Sequence, residues 1–481
     1  MSKLPSIDSA NLLTLKEKFN KFTYSPISII VFAILTLAAF VFSLELVFYT
    51  IVVAYGIAII ALCPDLSPII PLFTLCYITA SKKNNPGFTD QGIFYGSTAT
   101  FMICIISVVI IALILRITLD KNIGWKKFFT MRRSLLSGML ILSISYLISG
   151  IGSEHYAQFA KQNLVFASIQ ALSVFFLYFV FSATVDWEKF DVDFFAYSQL
   201  ISGLVVVFEL IWIYLTEDVI IGGFIDREAI FTGWGTYNNI GIILAMALPF
   251  AFYFACKKKH GIMYMIPALL LMIGVAFSCS RATILFASIA FVIAYIYTFS
   301  KTKNKKEFRI LSVIILIFLV VALIVAFASL KDIFKNVPTI ADIVNGDIVF
   351  NDYDRFNIYK QGFDAFKKNP IFGQTFYTNE YLFDWSEVEQ FSSFFPPRWH
   401  NTLVQLLASC GIIGLCAYMI HRFQTIRLFL KRRGGINVYI GISIFTLLCM
   451  SLLDNHFFNV APIMIYSIAL AVVEYGKPHD K

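Results

Sequence analysis

Four side chains in the second half of the chain have the chemistry to handle a phosphorylated substrate: Arg281, Arg355, His400 and Asp454. A guanidinium offers several aligned donors to phosphate oxygens, so Arg281 and Arg355 together suit a diphosphate. Arg281 follows Ser278-Cys279-Ser280 at the junction of two apolar runs, where an Arg is costly unless it faces a polar cavity or an anion. The plainer alternative is a cation snorkelling at a helix end. Arg355 opens the stretch DRFNIYKQGFDAFKKNPIFGQ, with simple pairing to Asp352 or Asp354 as its alternative. His400 closes FFPPRWH, just before the apolar run TLVQLLASCGIIGLCAYMI. A helix N-terminus disfavours imidazolium, so a neutral ring able to accept a proton is expected there; its alternative is a hydrogen-bonded interface histidine. Asp454 and His456 lie in LLDNHFF at another predicted helix end. Glu209, in VVVFELIWIY, is the clearest carboxylate inside an apolar run: a functional candidate by default, or the partner of a basic neighbour. Two fixed cations for a diphosphate and a neutral base for a hydroxyl are what is needed to move a group from a lipid diphosphate to an alcohol.

The elements that position these residues are membrane helices. Of 481 residues 58% are hydrophobic and 14% charged, against about 25% charged in a soluble domain. The apolar runs are too long for barrel strands, and helices satisfy their own backbone in lipid. The fold class is therefore all-α, a polytopic transmembrane bundle of about 12–14 spans with one long extracytoplasmic loop carrying an amphipathic helix. Candidate spans fall at roughly 25–44, 46–63, 66–80, 92–116, 135–152, 163–183, 195–215 and 237–255, then at 262–279, 282–299, 309–329, 400–420, 436–453 and 457–474. The segment 66–80 is short and broken by prolines, and either spans or re-enters. Residues 1–24 form a cytoplasmic lead-in, 25–329 the main transmembrane region, 330–399 the long loop, 400–474 the closing helices and 475–481 the tail.

With the N-terminus inside, the basic clusters at Lys121–Arg133, Lys257–Lys259, Lys301–Lys306, Arg422–Arg433 and the tail all fall on the cytoplasmic side, while Lys82 and Lys83 disagree. The four chemistry-bearing residues then share the opposite, outer side. Net charge of +8 is thus topological; the basic residues form no single stripe, so no nucleic acid is expected. The eight cysteines lie mostly in predicted helices and show neither disulfide nor metal spacing. In the long loop, Phe356, Tyr359, Phe363 and Phe366 share one side of a helix expected to lie on the outer membrane surface, stopped at Asn369-Pro370 with a turn at Gly373. With seven basic and ten acidic residues from Lys331 to Arg398, the loop is not a simple headgroup magnet. Gly411 and Gly414 would permit close helix packing.

Three motifs resemble the O-antigen ligase and polymerase family of bacterial surface-polysaccharide glycosyltransferases. They are Ser280-Arg281 opening a span, Arg355 and Tyr359 followed by Asn369-Pro370-Ile371-Phe372-Gly373, and His400-Asn401-Thr402-Leu403 with Gly411-Ile412-Ile413-Gly414 downstream. The likeness covers roughly residues 235–460. It implies a polyprenyl-diphosphate-linked oligosaccharide donor at the outer leaflet, a glycan or glycolipid acceptor, the lipid bilayer and other polysaccharide-assembly proteins as partners, and a bacterial plasma membrane location with both termini cytoplasmic. By the same resemblance Arg281 and Arg355 bind and stabilise the departing diphosphate, and His400 is the general base of a direct, inverting, metal-independent displacement with no cofactor. Asp454 would orient His400; Asn401, Tyr359 and Glu209 complete the expected substrate-binding set. The family often has a second glycine after the N-P-x-x-G turn, whereas here Gln374 follows Gly373. Ligase and polymerase share these motifs and stay undivided. The rival from another class is a flippase or transporter of the same lipid-linked sugar; such proteins often show two related halves, and no motif of the second half recurs in the first.

Overall fold

The computed structural model describes residues 9–75, 96–120, 129–320 (except 155, 222–223, 227–228, 233–234, 303–304, 311, 315 and 318–319), 353–377 and 398–477. Expectations about Lys82 and Lys83, the pairing with Asp352 and most of the long loop lie outside the described residues. Within them the apolar runs are helices. The protein is an integral membrane protein built as an all-α bundle, with two short antiparallel hairpins as its strand content among the described residues. These pair Ile220–Ile221 with Phe224–Ile225 and Phe231–Thr232 with Gly235–Thr236.

Five described helices are long and apolar enough to cross a membrane: Tyr156–Thr184, Val192–Thr216, Tyr237–Lys257, Arg281–Lys301 and Thr402–Lys431. A sixth is the bent pair Leu13–Thr23 and Pro26–Phe42, whose halves meet at 74°, so the polar lead-in is itself a helix turned away from the first span. Shorter apolar helices lie at several other predicted positions, among them Met265–Phe277, Ile436–Met450 and Val460–Tyr475, and the predicted span 309–329 is described only as far as residue 320. Segment 66–80 begins as a turn at Ser67–Ile69 and a short helix Ile70–Leu75; beyond Leu75 it is not described.

Helix Tyr237–Lys257 is the axis of the bundle, with every residue from Asn239 to Ala255 buried. A helix apolar all round is stable only where neighbours surround it. Its neighbours are Val192–Thr216, Met265–Phe277, Arg281–Lys301 and Ile436–Met450. Because lipid is as apolar as leucine, such contacts rest on close packing. Gly241 shows the fit: a Cβ there would lie 2.2 Å from Thr283 Oγ1. Asn238 and Asn239 thereby enter the site from the start of the most buried helix.

Helix Thr402–Lys431 departs from the sequence expectation in two ways. It continues well past the predicted end near residue 420, so Arg422 is not in a basic loop. It is buried, its guanidinium 4.4 Å from the Tyr418 ring and 4.3 Å from that of Phe457. The helix is also broken at Gly411, where φ is +63°. Residues 370–375 occupy the break. The Ile412 amide donates to Pro370 O at 2.9 Å, and the Gln374 amide donates to Ala408 O at 2.7 Å. A break in a membrane helix must return its freed backbone groups to some partner, and here the turn after the loop helix supplies one. Gly373 and Gly411 are required for the approach: a Cβ on Gly373 would lie 2.2 Å from the Ser409 carbonyl carbon, and one on Gly411 2.3 Å from Ile371 O. Gly411 thus serves a left-handed break, not helix–helix packing.

The loop helix itself, Tyr353–Lys368, ends where the sequence indicated. Its Ile358, Tyr359 and Ala365 pack on Trp399 and on Val404 and Ala408 of the following helix, while Phe363 stays exposed. Gly362 permits this, since a Cβ there would meet Val404 at 2.4 Å. The packing face takes Tyr359 from the expected aromatic side but leaves Phe363 exposed.

Candidate functional site

His400 precedes its helix by two residues and has φ +49°, a left-handed conformation uncommon for a side chain with a Cβ. Surrounding contacts hold it there. Tyr359 Oη donates to His400 O at 3.1 Å. Asn401 is the N-cap, its Oδ1 accepting from the amides of Leu403 at 2.8 Å and Val404 at 3.2 Å. Its Nδ2 donates to Leu452 O at 2.8 Å. Asn401 and Tyr359, expected to bind substrate, therefore hold His400 in place by these bonds.

The turn 451–455 delivers Asp454, which is 5% exposed. One oxygen, Oδ1, lies 3.3 Å from His400 Nδ1 and accepts from the Asn455 amide at 2.7 Å. The other, Oδ2, accepts from Asn238 Nδ2 at 3.0 Å. Burial alone would raise the Asp454 carboxyl, but the hydrogen bond from His400 and the charges of His456, Arg398 and His400 outweigh it and hold it well below the usual carboxylate range. An ionised carboxylate only accepts, so His400 Nδ1 carries the proton and Nε2 is the nitrogen able to take one. Beneath the pair, His456 is fully buried and lowered to about 4 by burial, by Arg398 and by His400, against the opposing pull of Asp454.

Arg281 begins its helix directly after the cap Ser280, whose side chain accepts from the Thr283 amide. Ser280 Oγ donates to Asn238 Oδ1 at 2.7 Å, so the start of the Arg281 helix is joined through Asn238 to Asp454. Arg355 reaches the same turn from the loop helix, its Nη1 donating to Leu453 O at 2.9 Å. Three helix starts and one turn thus bring Arg281, Arg355, His400 and Asp454 to one end of the bundle. Among the described residues no group of three His, Cys, Asp or Glu side chains forms a metal-ligand set.

Glu209 is not brought to this cluster. It is 1% exposed, and among the described residues neither carboxylate oxygen has a hydrogen-bond partner and no basic neighbour pairs with it. It lines a cavity of about 240 Å³ with Leu37, Phe40 and Val41 of the first long helix. Two contributors escaped the sequence reading. Arg398 acts on Asp454 by charge, and Asn238 bonds it directly; the polar triplet Tyr237-Asn238-Asn239 before an apolar run was the available signal.

Residues 266–419 match the family model described as O-antigen ligase, a stretch that includes Arg281, Arg355 and His400 and ends before Asp454. No curated protein matches the chain. A histidine-bearing site formed where membrane helices begin thus lies largely within a stretch, residues 266–419, that is similar to the O-antigen ligase family.

Proposed function

We propose that the protein transfers a glycan from a polyprenyl-diphosphate donor to a hydroxyl of a glycan or glycolipid acceptor, at the extracytoplasmic face of a bacterial plasma membrane. The observation that carries this reading is the His400–Asp454 pair, tied on one side to the cap of the Arg281 helix and on the other, through Leu453, to Arg355. His400 Nε2 takes the acceptor hydroxyl proton while the hydroxyl oxygen attacks the anomeric carbon. The bond from that carbon to the diphosphate oxygen breaks, and the electron pair leaves with polyprenyl diphosphate. Arg281 and Arg355 stabilise the charge that develops on the leaving group. One in-line displacement inverts the anomeric centre. Asp454 keeps the proton on Nδ1 and stabilises the imidazolium that forms. Glu209, in its apolar cavity, is assigned to the lipid portion of the substrate and to no step of the transfer.

Purified protein incubated with a polyprenyl-diphosphate oligosaccharide, candidate acceptors and EDTA should release polyprenyl diphosphate. His400→Ala, folded and monodisperse, should lower the rate by about 10²-fold or more. Product length then separates polymerase from ligase. No release by wild type, with labelled lipid-linked sugar crossing a reconstituted bilayer instead, overturns the reading in favour of a transporter.

A further inference from the structure

Asn238 stands between the two halves of the site, and its amide can be oriented in one way only. Asp454 as a carboxylate needs a donor, so Asn238 presents Nδ2 to it, at 3.0 Å, and is left with Oδ1 as an acceptor. That oxygen takes the Ser280 hydroxyl at 2.7 Å, and Ser280 Oγ in turn accepts from Thr283 Oγ1 at 2.8 Å. All these bonds run in one direction, from the first turn of the Arg281 helix to the carboxylate that faces His400. The spacing of the two helices is fixed beside the relay, because Gly241 lies one turn from Asn238 against Thr283. The next residue, Asn239, is anchored separately: its Oδ1 accepts from Asn459 Nδ2 at 2.5 Å, and Asn459 also lies 3.3 Å from His456 Nδ1.

We propose that Asn238 is a positioning residue that couples the Arg281 helix to the His400–Asp454 pair, so that the anion-binding side and the proton-accepting side of the site are held in one geometry. This rests on the transferase reading for its purpose, though the coupling itself is a property of the folded protein. Among the described residues, the charged and titratable groups around His400 include Asp454 and His456 from the turn 451–456, Arg398 on its own segment, Tyr359 of the loop helix and Arg355 across Leu453.

The test is the titration of His400 by NMR in full-length protein labelled in its histidine rings, with His400 assigned by loss of its signal in His400→Gln. Asn238→Asp keeps the shape and the acceptor for Ser280 but sets two carboxyls about 3.0 Å apart, where like charges cannot both ionise and one proton is shared between them. The negative charge that faces His400 is thereby spread away from Asp454, and the His400 titration midpoint should fall. In turnover, Asn238→Ala should lower kcat about tenfold with little change in KM for donor. Combining it with Ser280→Ala should cost no more than the worse single change, because the two act in one relay. An unmoved His400 midpoint in folded Asn238→Asp, or fully additive effects of Asn238→Ala and Ser280→Ala, overturns the coupling. If wild type releases no polyprenyl diphosphate while Asn238→Asp still moves the midpoint, the transferase reading fails and the coupling stands.

Discussion

At the scale of single residues, the turn 451–456 holds the most informative groups. Asp454→Asn keeps the shape but offers His400 Nδ1 a side chain that can donate as well as accept, which removes the reason for the proton to sit on Nδ1. Polyprenyl diphosphate release should fall about 10²-fold or more, with the variant still monodisperse; wild-type turnover in that variant would remove Asp454 from the mechanism. His456 makes a separate prediction about stability. Its folded pKa is lowered, from 6.5 to about 4, so unfolded chains bind a proton that the folded protein refuses across that interval. Stability is therefore complete above pH 6.5 and lost as pH falls toward 4, by about 3 kcal/mol. Asp454, also lowered, adds to the loss at still lower pH, below the ordinary carboxylate range. Thermal stability in detergent, followed from pH 7.5 to 4, should decline in wild type and decline less in His456→Gln. Equal declines would show that other groups carry the acid sensitivity.

At the scale of elements, the broken helix Thr402–Lys431 decides where His400 stands. Gly411→Ala meets two penalties: a left-handed backbone costing about 1–2 kcal/mol for a residue with a Cβ, and a Cβ 2.3 Å from Ile371 O. Gly56→Ala, by contrast, meets nothing closer than Leu72 at 3.7 Å and should be neutral or stabilise by up to about 1 kcal/mol. The expected outcome is a marked fall in melting temperature and turnover for Gly411→Ala, with Gly56→Ala at or above wild type. Equal behaviour of the two would mean that the break is not needed. The break also marks the limit of what the sequence reveals. The run LLASCGIIGLCAYMI reads as one continuous helix because glycine is common in membrane helices. Nothing local says that residues 370–375, some forty positions earlier, will occupy its middle. The helices themselves were legible, since each needs only an apolar run of sufficient length. Arg281, Arg355 and His400 could be singled out as candidates because each stands in a local motif. Asn238 was not, because its meaning depends on Asp454, 216 residues away. Glu209 was legible as buried, but a local window could not say which face of the bundle it occupies.

At the scale of the whole molecule, the bundle is polarised along its axis. The helices Tyr237–Lys257, Arg281–Lys301 and Thr402–Lys431 all start at the site and end on a lysine. At that far end Lys257 pairs with Asp193 at 2.7 Å, and Arg432 donates to Glu474 O at 2.8 Å. Basic residues collect on the cytoplasmic side of membrane proteins, and this polarity supports the proposal that the site faces the outer side. Two exposed positions test this directly. Glu154 is at the site end, 3.6 Å from Lys368 of the loop helix, and Arg433 follows the far end of the His400 helix. In a background lacking the eight native cysteines, Glu154→Cys should react in intact cells with a membrane-impermeant maleimide. Arg433→Cys should react only after the membrane is opened. The reverse pattern would place the site in the cytoplasm and exclude an acceptor outside the cell, whatever the protein's activity in detergent.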